Sequence, residues 1–92
     1  MAIAPRIHLN GSHGPELFSK LRVALDALLA AEKAVAETAP NARDYYTISD
    51  AAFGIAAREH ANRMASLREL REELLDVTDD VLEQLEARRE VI

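Results

Sequence analysis

A chain of 92 residues, 49% of them hydrophobic, is one domain's length with enough apolar material for a core. The absence of cysteine excludes disulfides, a thiolate zinc site and a cysteine nucleophile. The net charge of −5 lies wholly in residues 49–92, and the stretch from Glu72 to Glu86 holds seven acids and no base. A phosphate backbone is bound through a basic footprint, so direct nucleic-acid binding is not expected.

Residues 1–15 read as a short extended arm. Pro5 and Pro15 bracket Ile7, His8, Leu9, Asn10 and Gly11, which alternate like a strand and end in an Asn-Gly turn signal. Helix 1 is expected over residues 16–38. Pro15 and Glu16 suit a first helical turn. Leu17, Leu21, Ala24, Leu28, Ala31 and Val35 recur in steps of four and three, with Phe18 and Leu25 widening that face. Pro40 forbids continuation and Asn41 fits a turn, so residues 39–48 form the loop.

Helix 2 is expected over residues 49–90, with Thr47 or Ser49 as its cap. Its stripe runs Phe53, Ala56, His60, Met64, Leu67, Leu70, Leu74, Val77, Val81, Leu85. The fold class is therefore all-α: an antiparallel helical hairpin with a long second helix and an extended arm. The lengths are unequal, however, at about 35 Å against about 60 Å for 1.5 Å per residue. If helix 1 covers the first half of helix 2, the stripe beyond Leu70 has no partner in the chain. Either a second copy covers Leu70, Leu74, Val77, Val81 and Leu85, or the helix breaks at Thr78-Asp79-Asp80 and folds back. The unbroken helix and a homo-oligomer are the expectation, helped by a core in which alanine contributes little apolar area.

Catalysis finds no support. The serines form no nucleophile elbow, and no glycine-rich phosphate loop is present. Neither two histidines four apart on a helix nor a Glu-x-x-His pair occurs. No enzyme activity, metal or cofactor is expected. The segment Asn41-Ala42-Arg43-Asp44-Tyr45-Tyr46 concentrates half of the aromatic residues beside a charge of each sign. Tyrosine supplies a stacking face and arginine a planar fork, a set that suits a nucleotide-like ligand or a protein hot spot. The plainer reading has both tyrosines plugging the end of the hairpin. His60 stands on the apolar stripe with Arg63 a turn further on; it is either a satisfied rim histidine or part of a polar pocket. The expected ligand-binding set is Arg43, Asp44, Tyr45, Tyr46, His60 and Arg63, completed by His8 and Asn10 of the arm. The acidic run reads as a solvated helix face, or as a mimic of nucleic-acid phosphates.

The arm Ile7-His8-Leu9-Asn10-Gly11, then Arg43-Asp44-Tyr45-Tyr46, then His60 and Arg63, resembles small helical accessory proteins of tailed bacteriophages and prophages. The resemblance implies stoichiometric binding in the host bacterial cytoplasm, and no catalytic residues. In keeping with it, residues 1–9 contain no signal-length apolar run, and no stretch has the length of a membrane span. The functional expectation is a counter-defence factor that sequesters a nucleotide-like signal or blocks a host protein. The alternative is an assembly adaptor or chaperone that docks a partner through helix 2.

Overall fold

The computed structural model describes residues 2–9, 11 and 13–91. Two helices account for most of them: α1, Gly14–Ala36, and α2, Ala52–Val91. A single 3-10 turn, Ala42–Asp44, interrupts the segment between them. Both helices are longer than most and lie side by side, giving a rod of 66 × 21 × 20 Å.

Helix α1 starts at Gly14, two residues before its first carboxylate, Glu16. The backbone of His13 is extended, Pro15 occupies the first turn, and the first helical bond runs from the Leu17 N–H to the His13 carbonyl at 3.0 Å. Its end is tightened rather than capped by glycine. The N–H groups of Glu37 and Thr38 donate to Ala34 and Val35, and the Thr38 hydroxyl also reaches the Val35 carbonyl at 2.7 Å. Pro40 then lacks the N–H that another turn would need.

Helix α2 begins at Ala52, three residues after the expected start. The Ala52 N–H bonds to the backbone carbonyl of Ser49 at 3.3 Å. Beyond that point the helix is continuous to Val91. Thr78 does not break it: its hydroxyl donates back to the Leu74 carbonyl at 2.8 Å, which lets a threonine sit inside a helix with its polar atom satisfied.

The register corrects the expected pairing. Arg71 of α2 forks onto the carboxylate of Glu32 near the end of α1. At the other end, a Cβ on Gly14 would stand 2.6 Å from the Leu85 side chain. Helix α1 therefore lies antiparallel to the C-terminal half of α2, not to its first half. The stripe expected to await a second copy is the intramolecular core. Val81 is fully buried, and Leu74, Val77 and Leu85 are half-buried; only Leu70 is well exposed. The physical reason is the quality of the two halves. From Ala52 to Ala65 most of the helix's apolar residues are alanine, whereas Leu74 to Leu85 carries leucines and valines of larger apolar area. Residues 37–51 are long enough to carry the chain back past the alanine-rich turns.

The arm completes the base of the rod. The Ile7 N–H donates to the Gln84 side-chain oxygen at 2.8 Å, and the Gln84 amide nitrogen donates to the Pro5 carbonyl at 2.8 Å and to Asp80 at 2.7 Å. Arg88 reaches the Ile7 carbonyl at 3.3 Å. The acids Glu72, Glu73, Asp76, Asp79, Asp80, Glu83 and Glu86 are all exposed, as a solvated helix face should be. No helix among the described residues is long and apolar enough to cross a membrane.

Candidate functional site

The residues singled out in the sequence fall at opposite poles of the rod. His8 sits in the arm against the C-terminal turns of α2, where Ile7, His8, His13, Leu85 and Arg88 line a cleft of about 370 Å³. Asn10 lies outside the described residues. Arg43, Asp44, Tyr45 and Tyr46 sit at the other pole, and His60 and Arg63 lie on the neighbouring half of α2. Between His60 and Leu85 the helix climbs about 37 Å at 1.5 Å per residue. The seven described residues of that set do not come together in one pocket. Topology is the cause: in an antiparallel hairpin, an arm that precedes the first helix lies at the pole away from the connecting loop.

At the loop pole, the Asn41 side chain accepts the Arg43 N–H at 3.0 Å and starts the 3-10 turn. Tyr45 is half-buried, while Arg43 and Asp44 are exposed and Tyr46 is 74% exposed. Ile48 is 70% exposed, and Phe53 and Ile55 follow on the first turns of α2, both exposed. Four large apolar side chains thus face water within ten residues. The charged groups beside them are free to engage a partner, since among the described residues the ion pairs are Lys20–Glu16 and Arg71–Glu32. His60 is half-buried and Arg63 exposed, one helical turn apart.

Along the base runs a groove that the sequence reading missed. Phe18, Leu25 and Leu29 form its α1 wall, and Leu75, Thr78 and Leu82 its α2 wall, around a volume of about 280 Å³. Arg22, Asp26 and Asp79 stand on its rim, and Arg71 closes one end. The hydrogen bond to Glu32 raises the Arg71 pKa above its already high ordinary value, so this guanidinium stays charged. A signal for the groove was present. Leu75 and Leu82 are seven residues apart, as are Phe18 and Leu25, and two such pairs make a second apolar row beside the main stripe.

No group of three or more potential metal ligands is gathered among the described residues. Comparison of the chain with protein families, curated proteins and solved structures finds no match.

Proposed function

We propose that this is a non-catalytic binding protein that works by occupancy, docking a protein partner through the loop pole of the rod. The observation that carries this reading is the exposure of Tyr46, Ile48, Phe53 and Ile55 next to Arg43 and Asp44. Aromatic side chains and arginine dominate the energetics of protein interfaces, and a tip that leaves them in water is ready for such a contact. Covering one such large apolar side chain stabilises a complex by about 1.5–3 kcal/mol. A small-molecule site is less well served, because Arg43, Tyr45, Tyr46 and His60 do not line the clefts of about 370, 280 and 140 Å³ formed by the described residues. A counter-defence role of the phage type would operate through this tip, by masking a surface of a host protein. The adaptor reading has less support, because Val81 is fully buried and Leu74 and Val77 are half-buried within the rod.

The test places a photo-crosslinking residue at position 46 in cells and, as a control, at position 83 on the acidic face. A partner captured at 46 alone is then purified and its affinity measured. Tyr46→Ala with Ile48→Ala is expected to weaken binding about a hundredfold or more while circular dichroism keeps the helical signal. Full affinity in that double variant would refute the tip as the docking surface.

A further inference from the structure

The base groove points to a different occupant. We propose that a second copy of the chain seats against the face formed by Phe18, Leu25, Leu29, Leu75 and Leu82, so that two hairpins close into a four-helix bundle. This proposal is independent of the partner assigned to the tip.

Surface area carries it first. The chain exposes 7131 Å², whereas a compact monomer of its 10.2 kDa exposes about 5,300 Å². Its radius of gyration is 19.5 Å, against about 12 Å for a compact chain of this length. Val81 is the one fully buried hydrophobic residue among those described. The excess of about 1,800 Å² per chain is more than the about 800 Å² that each partner buries in a specific dimer of standard size. Two helices make a single layer, and a layer needs another to bury its apolar face. A second hairpin supplies that layer without changing the rod's length.

Charge selects both the face and the occupant. The outer face of α2 carries Glu72, Glu73, Asp76, Asp80 and Glu83, all exposed and of one sign, so two copies repel there. The groove rim instead mixes Arg22 with Asp26 and Asp79, and none of the three has an ion-pair partner among the described residues. A twofold interface brings the same patch together twice and therefore favours a patch holding both signs around an apolar centre. The Glu32–Arg71 pair at the end of the groove adds a polar element that sets register, as buried polar pairs do in helical assemblies.

The test is sedimentation equilibrium of the full chain at micromolar concentration. A mass twice 10.2 kDa is expected. Leu75→Glu with Leu82→Glu is expected to raise the dimer dissociation constant about a hundredfold or more, since each change counts twice across a twofold. Tyr46→Ala with Ile48→Ala leaves the dimer intact, so failure of the tip reading and failure of this one are separable. If the glutamate variant unfolds, spin labels on cysteines introduced at Leu29 and at Ala27 decide. The first becomes immobile in the dimer while the second, exposed on the far side of α1, stays mobile. A monomeric wild-type chain would overturn the proposal, as would a dimer indifferent to both glutamates or a label at position 29 as mobile as one at 27.

Discussion

At the base of the rod every element is tied to another, and at the tip almost none is. The arm bonds to Gln84 and Arg88, Gly14 packs under Leu85, and Glu32 grips Arg71. Past Arg71 toward the loop, α2 runs on through alanines, and the large side chains Tyr46, Ile48 and Ile55 face water. One continuous helix thus serves two purposes along its length: scaffold where branched side chains repeat, platform where they give way to alanine. The difference teaches that a periodic stripe identifies a helix but not its partner. Apolar area per turn decides which half is covered.

The sharpest way to break this contrast is to cut it. Truncation after Leu70 removes the surface on which α1 lies and is expected to abolish cooperative thermal unfolding. Had α1 paired with the first half of α2, a stable hairpin would survive the cut. Circular dichroism during a thermal scan distinguishes the two.

A smaller effect comes from the ion pair that fastens α1 to α2. Glu32→Gln alone is expected to lower the melting temperature measurably, because it leaves a charged guanidinium facing a neutral amide. Glu32→Met with Arg71→Met is expected to recover much of that loss, since apolar groups of similar length fill the same space. Calorimetry of the three chains checks it, and a double variant worse than the single would show that the pair contributes more than its replacement by packing.

The smallest effect belongs to the tip. A Cβ on Gly54 meets nothing within 4 Å, and its backbone is ordinary helix. Gly54→Ala is expected to stabilise the chain by about 0.5–1 kcal/mol, read as a shift in denaturant midpoint. No shift would mean that these turns unfold separately from the base.

Much of the fold was legible in the residues. The expected bounds 16–38 fall within two residues of the ends of α1, Gly14 and Ala36, and the unbroken spacing to Leu85 foretold one long α2 despite Thr78. The register was not legible in the stripe alone, because both halves of α2 carry helical spacing and no tight turn fixes the return. The candidate pocket failed on topology rather than chemistry. His8 precedes α1 and Tyr46 follows it, so α1 itself holds the two apart. The groove escaped because Leu75 and Leu82 each stand one residue past a member of the main stripe, Leu74 and Val81, and a single stripe leaves such neighbours out.

Gln84 shows what a single amide can accomplish that an acid cannot. It accepts from Ile7 and donates to Pro5 and Asp80, standing in for the neighbouring strand that the arm lacks. A glutamate here would preserve the acceptor but turn the donor into a second oxygen facing a carbonyl and a carboxylate. The arm's hold on the rod therefore hangs on one neutral side chain standing between Glu83 and Glu86 in the acidic stretch of α2.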